Sequence, residues 1–248
     1  MNQIKELDIK GYFILKLKEP KRLLKIENMV KLLIDNELMI ANLNKSVLEE
    51  STASKYEFLM KNYTKGKSKI YNILKSYIDI DLLFSDKKIL KSLDKILGAN
   101  KYFKLFQACR LDYYPNNEHS LDWHQDAFKN ASNINLRDSI TVWIPINKSK
   151  NHSLYIIEGS HKGNHKQIVK KRKNKFSSES LELKLNLNNK YIYKNTKLIR
   201  IKKGEALVMS MALAHKSNIT DEKELRITCL SRFISFNSKD FFRVSEEQ

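Results

Sequence analysis

The apolar residues of this chain change period near residue 100, which limits it to a helical first part followed by a β part. Up to about Gly98 they recur at helical spacing, after a short opening strand from Tyr12 to Leu17. Pro20 stands where a helix can begin, and Leu23, Leu24, Ile26, Val30, Leu33 and Ile34 form its stripe. The clearest helix is S-D-K-K-I-L-K-S-L-D-K-I-L-G. Ser85 reads as its N-cap, Ile89, Leu90, Leu93, Ile96 and Leu97 as its stripe, and Gly98 as the residue just past its end. From Phe103 the pattern becomes short strand-like runs: Leu105 to Tyr113, Ser139 to Ile146, Leu154 to Ile157, Leu198 to Ile201, Ala206 to Met209 and Arg226 to Phe233. Asn116-Asn117, Asn151-His152, Gly159-Ser160 and Lys203-Gly204 punctuate them as turns. Many short strands without intervening helices predict an antiparallel sandwich or jelly roll. The stretch from Gly163 to Asn195 is long, polar and basic, as lids and mobile loops are.

At 248 residues the chain has room for one large β domain with a helical extension, or for two small domains. An apolar fraction of 42% supports a real core. No apolar run approaches the roughly 18 residues of a membrane span. The first residues mix Lys, Glu and Asp among the apolar ones, so no signal-peptide core is present. Cys109 and Cys229 are too few for a disulfide framework or a cysteine zinc site, which fits a reducing compartment. The expectation is a soluble, cytoplasmic protein without a membrane partner.

The formal charge of +18 invites a nucleic-acid reading, but it rests on lysines spread along the whole chain. No recognisable nucleic-acid motif accompanies them, so that reading is disfavoured. One segment differs: 162–175, K-G-N-H-K-Q-I-V-K-K-R-K-N-K, has no acidic residue. It reads first as a solvated loop and second as a basic rim that steers an anionic substrate.

Three residues carry the chemistry. In L-D-W-H-Q-D, His124 and Asp126 are two apart, so on a strand they share a face while Gln125 points away. His215, in A-L-A-H-K-S, would come from a strand distant in sequence and adjacent in space. Two imidazoles and one carboxylate can bind one face of an octahedral Fe(II), leaving the other face for a co-substrate and O₂. Arg226 follows His215 by 226 − 215 = 11 residues. Its guanidinium suits the far carboxylate of a dicarboxylate co-substrate. Gln107 and Tyr113 share strand parity with Cys109 and Leu111. Gln107 is a candidate to hydrogen-bond co-substrate or substrate, with a polar residue at the edge of the core as the other reading. Trp123 and Trp143 read as packing residues, and His161 as structural.

Together these segments resemble the phytanoyl-CoA dioxygenase family of Fe(II)/2-oxoglutarate oxygenases, over nearly the whole chain. The resemblance starts at I-K-G-Y-F-I-L and continues through the 85–98 helix and W-H-Q-D. T-V-W-I-P-I, L-Y-I-I-E-G-S-H-K and K-G-E-A-L-V-M-S-M-A-L-A-H-K-S follow, with Arg226 beyond them. It implies a double-stranded β-helix of the cupin-like jelly-roll type. Residues 1–248 would form one dioxygenase domain: a helical part to about 98, and a core from about 99 with a basic loop insertion at about 163–195. It further implies His124, Asp126 and His215 as iron ligands, Arg226 as the anchor of 2-oxoglutarate, and Ser217 as the hydroxyl beside it. Glu158 stands where the family often has Pro, and His152 where it often has Gly. Related halogenases replace the carboxylate of H-x-D with a small residue. Asp126 is intact here, so hydroxylation is favoured over halogenation, and the expected activity is hydroxylation of a C–H bond in a small-molecule or carrier-bound substrate. Desaturation, epimerisation or ring closure at the same site, and a non-catalytic cupin-like binding protein, are the rival readings.

Overall fold

The computed structural model describes residues 2–42, 49–113, 123–126, 138–149, 152–163, 167–171, 181–185, 188–218 and 223–238. Helix α1 (Gln3–Lys10) and strand β1 (Tyr12–Lys16) precede helices α2 (Lys21–Ile40), α3 (Thr52–Asn62), α4 (Thr64–Lys75), α5 (Ile78–Phe84) and α6 (Lys87–Leu97). Strands β2 (Tyr102–Tyr113), β3 (Ser139–Pro145) and β4 (Ser153–Ile157) come next, then β5 (Gln167–Lys171) and β6 (Leu181–Leu185). Helix α7 (Asn189–Asn195), β7 (Thr196–Arg200), β8 (Glu205–Ser210), β9 (His215–Ser217) and β10 (Leu225–Ser235) complete the order.

The sheets are antiparallel. One runs β1-β8-β3-β10-β2, a second runs β7-β4-β9, and β5 pairs with β6. Period-two alternation gives each strand of the first sheet two jobs. Cys109, Leu111, Val142, Ile144, Val208, Ile227 and Cys229 face the N-terminal helices, and share one apolar core with Leu23, Ile26, Ile34, Leu59, Ile80 and Leu93. Ala108, Trp143, Leu207, Met209 and Leu230 face the other way and meet Leu154 and Ile156 of β4. The space between the two sheets is where the polar residues gather. This is the antiparallel sandwich that the strand pattern predicts, with the N-terminal helices on one side and α7 against β4. Among the described residues no helix is long and apolar enough to cross a membrane.

The expectations need four corrections. Helix α1 precedes the opening strand. Helix α6 is capped by Asp86, not Ser85: the Asp86 carboxylate accepts from Lys88 N at 2.8 Å and from Lys18 N at 2.7 Å. The Ser85 hydroxyl instead donates to the Asp81 carbonyl. Leu24 and Leu90 belong to no buried stripe and are 55% and 36% exposed. The 163–195 stretch contains the β5–β6 pair and α7 rather than only loop; Arg172 and Lys173 of the basic segment lie outside the described residues.

Gly11 explains the Gly-aromatic start of β1. Its φ of +89° turns the chain out of α1, and a Cβ there would sit 2.5 Å from Leu213 Cδ1 and 2.6 Å from His161 Nδ1. The turn thus needs glycine both for conformation and for space.

Candidate metal centre

His124 and His215 are held together by their own backbones. Each amide donates to the other's carbonyl at 2.9 Å, an isolated antiparallel bridge. Two residues on, Asp126 N donates to Met211 O at 2.9 Å, while the Gln125 amide turns away to the Ala212 carbonyl. The 123–126 stretch is therefore not a named strand, as the alternation argument assumes, but an extended segment zipped onto the 211–215 turn. The alternation survives: His124 and Asp126 point one way and Gln125 the other. One ligand-capable atom from each of His124, Asp126 and His215 lies within 4.8 Å of the others, and all three residues are buried. The two imidazole centroids are 4.2 Å apart.

Second contacts orient these donors. His215 Nδ1 donates to Leu213 O at 2.9 Å, which leaves the Nε2 lone pair for a ligand. Asp126 Oδ2 accepts from the Thr141 hydroxyl and Oδ1 from Arg232, both at 2.6 Å. Burial alone would raise the Asp126 pKa. The Arg232 guanidinium, the two imidazoles and the Thr141 hydroxyl override it and hold the carboxyl well below the usual range. A deprotonated carboxylate beside two imidazoles fits a divalent first-row metal.

The triad opens on a cavity of about 50 Å³ between the sheets, also lined by Arg226, Ser217, Asp112, Arg110 and Thr228. Arg226 is inward on β10 and 2% exposed. It donates to the carboxylate of Asp112, the residue opposite it on β2, at 2.8 Å. Asp112 also accepts from Arg110 at 3.1 Å, so one carboxylate serves two guanidiniums. Ser217 sits two beyond His215 on β9 and faces the same cavity. The Thr228 hydroxyl is buried there without a hydrogen-bond partner among the described residues. Buried hydroxyls are nearly always paired, so this one suits a polar ligand.

The structure thus brings together five of the six residues picked from the sequence. Gln107 is the exception. Its parity with Cys109 and Leu111 is real, but that parity puts it on the helix side of β2, where its amide donates to Lys75 O and accepts from Lys104 Nζ. It does not line the cavity. Sequence reasoning missed Arg232, Asp112, Arg110 and Thr141. The signal was present: in β10 the alternation Arg226, Thr228, Leu230, Arg232 puts a second arginine on the same inward row, and Arg110 and Asp112 alternate inward on β2.

Both departures from the family pattern acquire partners. Glu158 accepts from the Tyr12 hydroxyl at 2.9 Å. His152 is buried edge-on to Trp143, with Nε2 3.0 Å from Asn147 Oδ1. That oxygen also accepts from Ile227 N at 2.9 Å, and the Asn147 amide donates to Leu225 O at 2.7 Å, so the pair braces the strand on both sides of Arg226. Burial first, and the Arg226 charge second, push the His152 pKa down to about 3.

The sequence profile of the family Phytanoyl-CoA dioxygenase (PhyH) matches residues 42–222. This chain belongs to that family. The matched span includes His124, Asp126, His215 and Ser217, and ends just before Arg226. No curated protein matches the chain. Among solved structures, the non-heme monooxygenase ThoJ in its apo form superposes with a TM-score of 0.61 at 14% identity, covering 94% of this chain and 77% of ThoJ. AviO1 from Streptomyces viridochromogenes Tue57 gives 0.58 at 12% identity, covering 95% of each chain. The epimerase SnoN, in complex with Fe3+, alpha ketoglutarate and nogalamycin RO, gives 0.56 at 10% identity, covering 94% of this chain and 82% of SnoN. At such identities the likeness is one of fold: a family member on a jelly-roll scaffold of the oxygenase type.

Proposed function

We propose that this protein is an Fe(II)- and 2-oxoglutarate-dependent oxygenase that hydroxylates a C–H bond of a small-molecule or carrier-bound substrate. The observation that carries this reading is the convergence of His124, Asp126 and His215 into one buried donor set, on a cavity that also contains Arg226. Bound there, iron with 2-oxoglutarate and O₂ supplies the oxidising power for C–H cleavage. The two imidazoles and the Asp126 carboxylate hold the metal. Thr141 and Arg232 keep that carboxylate ionised and fixed in direction. Arg226 and Ser217 anchor the distal carboxylate of the co-substrate, which joins or replaces Asp112 on a guanidinium with five N–H donors. The Thr228 hydroxyl gives that ligand a further polar contact. Gln107 has no part in this arrangement.

SnoN is a precedent for iron and 2-oxoglutarate on this fold, and for epimerisation as an outcome. Hydroxylation is preferred to halogenation here because Asp126 retains the position that a halide would need; epimerisation, desaturation and ring closure would use the same site. The core shared by helices and sheet supports reading residues 1–248 as one catalytic domain. Cys109 and Cys229, cross-strand neighbours that are unbridged, fit a reducing cytoplasm.

The test is succinate formation from 2-oxoglutarate under Fe(II) and air, screened with small-metabolite pools. His124→Ala and His215→Ala should abolish it while the protein stays folded. Turnover at wild-type rate in either variant, or metal binding without any turnover in the wild type, overturns the proposal; the second result is what a cupin-like binding protein would give.

A further inference from the structure

The outer face of the three-stranded sheet holds a lysine between two aromatic rings, directly behind the metal centre. Alternation along β9 turns His215 and Ser217 into the cavity and Lys216 the other way. On β4, Tyr155 lies opposite Lys216 in register, while its neighbour Leu154 lines the cavity. In the 123–126 segment the same alternation turns His124 and Asp126 inward and leaves Trp123 outside. There Lys216 Nζ stands 5.1 Å from the centre of the Trp123 ring and 5.4 Å from that of Tyr155. Both distances fall within the cation–π range of about 6 Å.

A half-buried lysine ordinarily extends its ammonium into water, where it is strongly hydrated. Here one ammonium spans two rings, and each ring comes from a different part of the chain. Trp123 immediately precedes His124, Lys216 immediately follows His215, and Tyr155 belongs to the central strand of the sheet. The contact therefore ties, from outside, the same two segments whose imidazoles meet inside with centroids 4.2 Å apart.

The 123–126 segment depends on such a tie. It belongs to no named strand, and its main-chain hydrogen bonds among the described residues are the His124–His215 pair and Asp126 N to Met211 O. Trp123 adds apolar packing against the buried Ile157 and Ala214, with Ile192 beside them. Lys216 closes over that packing and, through Tyr155, fastens it to β4. Metal donors keep a productive geometry only where packing locks the residues that carry them.

We propose that Lys216, held between Trp123 and Tyr155, is a positioning residue for the metal centre: it clamps the His124 segment to the His215 strand before any metal is bound. It acts through the two histidines, so this role rests on the metal-centre reading above.

The test is amide hydrogen exchange of the full metal-free chain, followed by anaerobic titration with Fe(II). In Lys216→Met the His124 and His215 amides should exchange about fivefold faster than in the wild type, the size expected for loss of a cation–π contact. Lys216→Arg should restore the wild-type rate, because a guanidinium also stacks on aromatic faces. Amides of α2 and β3 should be unchanged in both, which separates a local clamp from a general loss of stability. Tyr155→Leu, which removes one ring and leaves 123–126 intact, should act in the same direction as Lys216→Met. A loosened segment spends part of its time away from the ligand position, so Fe(II) affinity should fall about two- to fivefold in Lys216→Met. Unchanged exchange at His124 and His215, equal acceleration at α2 and β3, no recovery in Lys216→Arg, a silent Tyr155→Leu, or an unchanged Fe(II) affinity each overturns the proposal. A wild type that binds no Fe(II) instead removes the parent reading and with it the metal role; the exchange rates still decide whether the clamp holds the two histidines.

Discussion

Arg232 donates to Asp126 Oδ1 at 2.6 Å, from a strand that reaches the triad 106 residues further along the chain. A proposed ligand carboxylate is thereby aimed by a residue outside the donor set. Groups of this kind typically govern affinity by about 10–100-fold. Arg232→Met should weaken Fe(II) binding by that factor, and Arg232→Lys by less. An anaerobic metal titration measures it; an unchanged affinity would show that Thr141 alone orients Asp126.

Arg226 should set co-substrate affinity more than metal affinity. Losing a buried charge-assisted pair costs on the order of 2–5 kcal/mol. Arg226→Ala should strongly raise the KM for 2-oxoglutarate, with Fe(II) affinity nearly unchanged, and should also destabilise the fold by removing one of the guanidiniums on Asp112. Thr228→Val should act in the same direction and more weakly. If KM is the same in both variants, neither residue touches the co-substrate.

Asp126 should exclude halide. The native enzyme should give no chlorinated or brominated product even in high salt. Mass spectrometry of the products decides this, and any halogenated species would defeat the hydroxylase assignment.

His152 should make the fold acid-sensitive. Its folded pKa is pushed down to about 3 from an ordinary 6.5. Above pH 6.5 both folded and unfolded chains hold the ring neutral, and the stabilising contribution is complete. As pH falls from 6.5 towards 3 the unfolded chain takes up a proton that the folded one refuses, so stability drops by roughly 1.4 kcal/mol per pH unit. His152→Gln can still donate to Asn147 but does not titrate. Denaturant midpoints between pH 6 and 4.5 should therefore slope less in the variant; parallel slopes would locate the acid sensitivity in other groups.

Much of this architecture was legible before any coordinates. The strand runs, the two-residue spacing of His124 and Asp126, and the inward Arg226 all follow from period-two alternation. Parity also misled, because it groups residues on a face without saying which face is which. Gln107 was grouped correctly with Cys109 and Leu111, yet that face meets helices. The cap of α6 was missed because Ser85 and Asp86 are both good N-caps, and only the path of residues 18–19 selects Asp86. Asp112 as the partner of Arg226 depends on strand register, which no local pattern encodes.

The reciprocal hydrogen bonds between His124 and His215 have a consequence for how such a chain can diversify. They close, with main-chain atoms, a loop whose ends are 215 − 124 = 91 positions apart, so the spacing of two proposed ligands does not depend on the length of what lies between them. The entropy of closing a flexible loop rises slowly, by about 0.6 kcal/mol for each doubling of its length. Insertions and deletions between 127 and 210 that spare β3, β4 and β8 therefore cost little in closure entropy, while the clasp stays where it is.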